Sequence, residues 1–395
     1  MRVLMLSDVY FPRINGVSTS IQTFRAALRP LGIEITLVAP DYPGATPDPD
    51  IIRLPSRAVP FDPEDRLMHW SALRELVRRP ARADFHLVHV QTPFAAHHAG
   101  LRIARRLDLA CVATYHTHFE EYLFHYLPLL PRRLVRAAAR GIARRQCNAL
   151  DSVIVPSSEM ADTLRDYGVF TPLGVIPTGL PDAQFRPGDG VAFRVRHGIA
   201  PDAAVALFVG RAAHEKNIGF LLEASAIACR DIPNLLLLIA GEGPALPALH
   251  RHAAALGLGD RVRFVGYLDR DTALRDCYAA ADLFVFASLT ETQGLVLLEA
   301  MGAGLPVLAI SALGTRGLVD PQRGALSAAR DVPGFAAQLA GLLSRPDTRA
   351  TMSRAGREFA REWSAERSAA ELAAFYRRLR RPAPRLGIAT TRSLA

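Results

Sequence analysis

One stretch constrains this chain more than any other: Ser288 to Pro306, S-L-T-E-T-Q-G-L-V-L-L-E-A-M-G-A-G-L-P. The apolar run that leads into it, Asp282 to Ala287, has the character of a strand buried on both faces, which a parallel sheet covered by helices provides. Thr290 to Gly294 then makes a tight loop. Leu295 to Ala303 makes a helix with no polar face apart from one residue, Glu299. A buried carboxylate costs several kcal/mol, roughly, unless a partner meets it. A strand feeding a helix through a short loop aims the helix N-terminus at whatever sits above the sheet, and the free N–H groups near Gly294 and Leu295 suit a phosphate. Glu299, a turn deeper, can accept bonds from sugar hydroxyls, and Glu291 can do so from the loop. The plainer alternative is that Glu299 pairs with an arginine and Glu291 is solvated.

The two glutamates, with seven residues between them and A-M-G-A-G-L-P-V after them, resemble the signature of the retaining glycosyltransferases of family 4. The resemblance runs over nearly the whole chain. It implies an α/β fold of two facing Rossmann-like domains with a cleft between them, the GT-B architecture. The wording T-E-T-Q-G-L is most similar to members that glycosylate membrane lipids such as diacylglycerol.

At 395 residues, half of them hydrophobic, the chain is long enough for two cores. Its four cysteines, Cys111, Cys147, Cys229 and Cys277, lie far apart with no C-x-x-C pair. That argues against a disulfide framework or a zinc site and for a reducing, cytoplasmic compartment. Arg2 to Asp8 alternates into a strand rather than a signal peptide, and no apolar run approaches the ~20 residues a spanning helix needs. The net charge of +9 is uneven, since residues 361–395 hold eight Arg against three Glu. No nucleic-acid motif accompanies this charge, so nucleic acid is not an expected partner, whereas an Arg-rich tail suits anionic lipid. The chain has 46 Arg and a single Lys, Lys216. Where the two cations are interchangeable Arg is used, so the lone lysine marks a place for a compact ammonium rather than a planar fork.

In chain order, Arg2 to Ser7 reads as a strand, Asp8 to Gly16 as a loop and Val17 to Leu31 as a helix. The loop holds only Gly16 where a dinucleotide fingerprint needs G-x-G-x-x-G. The resemblance implies that Gly16 lets the backbone approach the donor's distal phosphate and sugar. Strands follow at Glu34 to Pro40 and Leu87 to Gln91, with a Pro-rich crossover between them. Another ends in C-V-A-T-Y-H-T-H-F-E-E-Y, a polar cluster at a strand's C-terminal end, where open α/β sheets place ligands. The resemblance puts His116 beside the donor sugar; His118, Glu120 and Glu121 carry no such warrant. Arg133, Arg136, Arg140 and Arg144 form a basic helical stripe, preceded by Phe124, Tyr126, Leu127, Leu129 and Leu130, a pattern that suits either a solvated face or a membrane surface.

Strands at Asp151 to Pro156 and Gly174 to Pro177 close the first series, and Thr178 to Pro187 reads as a linker. A second series opens with Ala204 to Gly210, whose end carries Arg211 and Lys216 ahead of a helix from Ile218. Two cations there suit a diphosphate, and they match the family's G-R-x-x-x-x-K-x element; the alternative is a surface pair of Lys216 with Glu215. Leu235 to Ala240 and Arg261 to Val265 are strands. The resemblance implies that the backbone at Gly266 reads the nucleotide base. Pro306 to Ile310 is a later strand, and Glu362 to Arg381 is an amphipathic helix.

The expected organisation is a first, acceptor-side domain over 1–180, a linker over 181–190, a nucleotide-sugar domain over 191–362, a helix over 363–381 returning to the first domain, and a disordered tail over 382–395. The expected chemistry is transfer of a hexose from a UDP- or GDP-sugar to an acceptor hydroxyl, with retention as the resemblance implies, a membrane lipid such as diacylglycerol as acceptor and an anionic bilayer surface as partner. Arg211, Lys216, His116 and Glu291 would act on the reacting groups. Gly16, Gly266, Gly294, Leu295 and Glu299 would bind the donor. No D-x-D run is seen at a strand end, so no metal or other cofactor is expected. The competing readings are a soluble or polysaccharide acceptor, and a nucleotide-sugar epimerase or binding protein of the same architecture.

Overall fold

The computed structural model describes residues 1–59, 62–79, 84–116, 131–270 and 272–380. His118, Glu120, Glu121, the segment with Phe124, Tyr126, Leu127, Leu129 and Leu130, and the tail over 382–395 lie outside the described residues.

The first sheet consists of β1 (Arg2–Leu6), β2 (Glu34–Pro40), β3 (Ile51–Leu54), β6 (Leu87–Val90), β7 (Ala110–Thr114), β8 (Ser152–Val155) and β9 (Leu173–Val175). Its order is β3-β2-β1-β6-β7-β8-β9, all parallel. Successive side chains point to opposite faces, so Leu4 and Leu6 enter one core with helices 70–78, 95–107 and 132–147, while Val3 and Met5 enter the other. A hairpin, β4 (Ser56–Val59) and β5 (Asp62–Met68), stands apart. The crossover between β2 and β6 therefore holds an edge strand, this hairpin and the helix Trp70–Arg78, none of which its Pro-rich sequence announces. The hairpin is tied by polar contacts, Arg66 Nε to Ser56 Oγ at 2.8 Å and Arg13 to Asp65 at 3.2 Å, so apolar periodicity could not reveal it.

The second sheet, β10 (Ala204–Val209), β11 (Leu235–Ala240), β12 (Val262–Gly266), β13 (Leu283–Phe286), β14 (Val307–Ala309) and β15 (Ala325–Ser327), has the order β12-β11-β10-β13-β14-β15, again parallel. In both sheets the chain winds outward from one strand to either side. The crevice above that reversal, between β1 and β6 and between β10 and β13, is where such sheets hold ligands.

The chain crosses between the two halves at Leu180 and again at Trp363–Ala365. Leu180 donates to the carbonyl of Trp363 at 2.7 Å and accepts from Ala365 at 2.8 Å. At Gly179 a Cβ would stand 2.3 Å from the Ser364 carbonyl oxygen, so only glycine permits the crossing. Of the amphipathic segment read from Glu362, residues Ala365–Leu379 form the helix, capped by Ser364 Oγ, and Glu362 is the C-cap of the preceding helix, Pro346–Arg361. The last helix lays Ala369, Leu372, Phe375 and Tyr376 into the first sheet's core against Ile21, Phe24 and Leu28 of the helix Gly16–Leu28.

Candidate active site

Above the second sheet, the loop after β10 is fixed by backbone. Ala212 N–H donates to Glu242 O at 2.8 Å and Ala245 N–H to Ala212 O at 2.9 Å. Gly241, at φ +138°, lies so close that a Cβ would stand 1.9 Å from the Gly210 carbonyl oxygen. This contact sets the root of Arg211. A short 3₁₀ turn, His214–Lys216, then presents Lys216. Its Nζ meets Glu291 Oε1 at 2.5 Å, with the side chains 23% and 15% exposed. Ser288 Oγ donates to Glu215 O at 3.2 Å and Asn217 Nδ2 to Ala287 O at 3.4 Å, so the loops after β10 and β13 are stitched together. Lys216 thus pairs with Glu291 across the strand reversal.

The helix Leu295–Ala303 opens at Gly294, which sits at φ +81° and where no side chain caps the free N–H groups. Its position matches the sequence reading, and it puts the positive end of the helix dipole beside Lys216 and Glu291. Glu299 is buried, its side chain 4% exposed. Arg270 bonds Oε1, and Tyr278 donates to Oε2 at 3.2 Å. The ion pair raises the proton affinity of Arg270, and burial with the carboxylate beside it does the same for Tyr278. Glu299 therefore has the arginine partner that the plainer reading foresaw. Each carboxylate oxygen keeps a further lone pair for a hydroxyl. Arg270 belongs to a D-x-D run, Asp269 to Asp271, that follows β12 and that the sequence reading overlooked. The Asp269 carboxylate is engaged by the N–H groups of Thr272 and Ala273 and by the Thr272 hydroxyl, at 2.8 to 3.2 Å. Among the described residues no group of three or more His, Cys, Asp or Glu could hold a metal ion.

From the first sheet comes His116, just past β7. Its Nε2 lies 2.7 Å from Gln91 Oε1, so the donated proton is on Nε2 and Nδ1 is left as an acceptor. Burial pulls the imidazole down to a pKa of about 4, so it is neutral near pH 7. Gln91 in turn abuts His89, whose Nδ1 meets Tyr376 OH at 2.6 Å and whose Nε2 meets Thr114 Oγ1 at 2.8 Å. Asp8, at the end of β1, accepts from Thr92 Oγ1 at 2.7 Å and Ala96 N at 3.1 Å; burial outweighs these bonds and pushes its carboxyl up to about 6. Gly16 begins its helix behind the Asn15 cap, with nothing within 4 Å of where a Cβ would be, which leaves that flank open.

Thr292 joins the two halves of the site. Its hydroxyl donates to the His116 carbonyl at 2.9 Å, and Ser157 Oγ donates to its own carbonyl at 2.9 Å. Lys216, Glu291 and His116 thereby meet through adjacent loop residues, while Gly16 opens the helix that follows β1 and Gly266 ends β12 of the other sheet. Gln91, Arg270, Tyr278, Thr292 and Asp8 were missed from the sequence. Gln91 could have been found, because it ends an apolar strand just as His116 does.

Two family models divide the chain: Glycosyltransferase Family 4 matches residues 14–184 and Glycosyl transferases group 1 matches residues 192–359. The alpha-monoglucosyldiacylglycerol synthase of Streptococcus pneumoniae is 35% identical over 321 residues, 78% of this chain and 71% of that one. The protein of the same name from Acholeplasma laidlawii is 30% identical, over 78% of this chain and 80% of that one. Among solved structures, Anabaena Alr3699/HepE in complex with UDP-glucose superposes with a TM-score of 0.76 at 18% identity, covering 96% and 100% of the two chains. With its two parallel sheets and the paired-glutamate loop at the second reversal, the chain belongs to the family 4 glycosyltransferases of GT-B fold.

Proposed function

We propose that the protein is a retaining hexosyltransferase that uses a UDP- or GDP-sugar and glycosylates a membrane glycerolipid such as diacylglycerol. The observation that carries the donor reading is the meeting of Lys216 with the Glu291 loop at one strand reversal, ahead of the uncapped helix end at Gly294 and Leu295 and with Arg211 two residues past the end of β10. A leaving diphosphate gains negative charge in the transition state, and fixed cations and N–H dipoles stabilise it without reorganising. In this reading Glu291, already beside Lys216, accepts from the donor sugar's hydroxyls. Glu299 takes the ribose hydroxyls on the lone pairs that Arg270 and Tyr278 leave over, the Gly266 backbone reads the base, and Gly16 lies along the distal phosphate and sugar. Neutral His116 orients the sugar or the acceptor through Nδ1. No carboxylate is assigned to the back face of the anomeric carbon, so the reading is a front-face reaction in which the departing phosphate oxygen takes the acceptor's proton.

The lipid acceptor is supported by the names of the two relatives and by the helix Arg132–Cys147. One stripe of it exposes Arg133, Arg136, Arg140 and Arg144, and Leu134 and Ile142 are 64% and 46% exposed elsewhere on the same helix. Among the described residues no helix is long and apolar enough to cross a membrane, and the reading is peripheral attachment at the inner, cytoplasmic face. The test is to supply UDP-glucose, GDP-mannose or ADP-glucose with diacylglycerol in phosphatidylglycerol vesicles, or with a soluble acceptor, and to identify products by NMR. An α-linked glycolipid from one donor is expected. Products only on the soluble acceptor would overturn the lipid part, and epimerised or intact donor with no transfer would overturn the whole.

A further inference from the structure

Three consecutive residues of the loop between β13 and the helix Leu295–Ala303 each hold a different part of the molecule. Glu291 holds Lys216, Thr292 holds His116, and Gln293 holds Thr178, at the end of the first half of the chain. The last contact is double. Gln293 Oε1 accepts the Thr178 N–H at 2.9 Å, and Gln293 Nε2 donates to the Thr178 carbonyl at 2.7 Å. Both residues are buried, and Thr178 is also held from the other side by Ser20, hydroxyl to hydroxyl at 2.7 Å. An amide side chain offers one donor and one acceptor side by side, so it can pair with a single backbone residue as a neighbouring strand would. Thr178 stands directly before the Gly179–Leu180 crossing that joins the two halves.

We propose that Gln293 is a positioning residue for glycosyl transfer, tying the Glu291 loop to the interdomain linker. With Thr178 gripped at both backbone groups, the loop cannot shift without the linker. The separation of Glu291 and Lys216 from His116 is then set by the angle between the domains. Thr292 completes the device, since its bond to the His116 carbonyl forms only when the domains are together. Donor binding alone does not need this bond, whereas transfer needs both sides of the cleft in register. The inference rests on the proposed hexosyl transfer.

The test compares Gln293→Met, which keeps the length but loses both bonds, with Thr292→Val, which keeps the shape but loses the hydroxyl. The readouts are UDP calorimetry, transfer kinetics with whichever donor sugar supports transfer, and hydrogen exchange at the Thr178 amide. Gln293→Met is expected to speed exchange at Thr178. Its kcat should fall by roughly tenfold to a hundredfold, as loss of near-attack geometry does, with UDP affinity and donor KM within about threefold of wild type. Thr292→Val should show the same split in kcat with Thr178 exchange unchanged. Unaltered kcat in either variant overturns the proposal, as does a parallel loss of UDP affinity, which would make the residues mere supports of the donor pocket. A wild-type protein that transfers nothing overturns the hexosyltransferase reading as well, and is told apart by that control.

Discussion

Lys216 Nζ stands 2.5 Å from Glu291 Oε1, so the chain's one lysine and its loop glutamate hold each other across the reversal between β10 and β13. The site is tight, with both side chains mostly covered. Lys216→Arg puts a wider, planar head where a point charge fits. Turnover should fall by roughly a hundredfold, the scale of losing one fixed transition-state donor, with the melting temperature little changed. Steady-state kinetics and calorimetry check it, and wild-type turnover would remove the case for the lone lysine.

The two glutamates should fail differently. Glu299→Gln should weaken free UDP roughly tenfold or more, the worth of a charge-assisted bond to a ribose hydroxyl. Glu291→Gln should leave UDP binding near wild type and weaken the intact donor sugar. Titration of each variant with UDP and with UDP-glucose decides the matter, and equal effects on both ligands would show the assigned division of roles to be wrong.

Arg270→Met leaves the Glu299 carboxylate buried without its cation. Breaking such a pair costs about 3–5 kcal/mol, which lowers the melting temperature by ~10 °C in a unit of this size. Adding Glu299→Gln removes the stranded charge and should restore most of the loss. Scanning calorimetry of the ligand-free protein follows both steps.

These pairings show how far the sequence reaches. The strand Glu34–Pro40 and the helix Leu295–Ala303 have the bounds read from the chain, because long apolar runs flanked by glycine and proline leave little choice. Lys216 and Glu291 were each legible as charges at strand ends. Their meeting was not, because it depends on two loops 75 positions apart converging over the sheet. Arg270 was invisible for a plainer reason: with 46 arginines in the chain, nothing local marks the one that pairs with Glu299. Gln293 was spelled out in the motif, but its bond to Thr178 appears only once the linker folds back over the loop.

Acid stability should separate His116 from Asp8. An unfolded histidine takes its proton near pH 6.5, and folded His116 only near 4, so stability is lost as pH falls from 6.5 to 4. The difference amounts to about 3 kcal/mol. Asp8 works in the opposite sense. Folded, it binds its proton near pH 6, above the ordinary value of 3.8, so it adds stability as pH falls from 6 to 4. His116→Asn should flatten the acid loss and Asp8→Asn should steepen it, as read from melting temperatures at half-unit pH steps.

The basic helix gives a prediction about surfaces. Each arginine near an anionic bilayer contributes on the order of 1 kcal/mol. Wild-type protein should therefore sediment with phosphatidylglycerol vesicles at low salt, be released at high salt, and ignore neutral vesicles. Replacing Arg133, Arg136, Arg140 and Arg144 with Gln should abolish most of the binding while leaving UDP affinity intact. Equal binding to neutral and anionic vesicles would end the electrostatic surface model.

The last helix, Ala365–Leu379, supplies Leu372, Phe375 and Tyr376 to a core whose other walls are β1 and the helix Gly16–Leu28. During synthesis the ribosome releases these walls first, and the second half of the chain must follow before their cover arrives. At ~5–20 residues per second that gap lasts on the order of ten seconds or more. The first half emerges early but finishes folding late, with an apolar strip that chaperones can grip in the interval. A fragment ending at Leu180 keeps that strip bare for good.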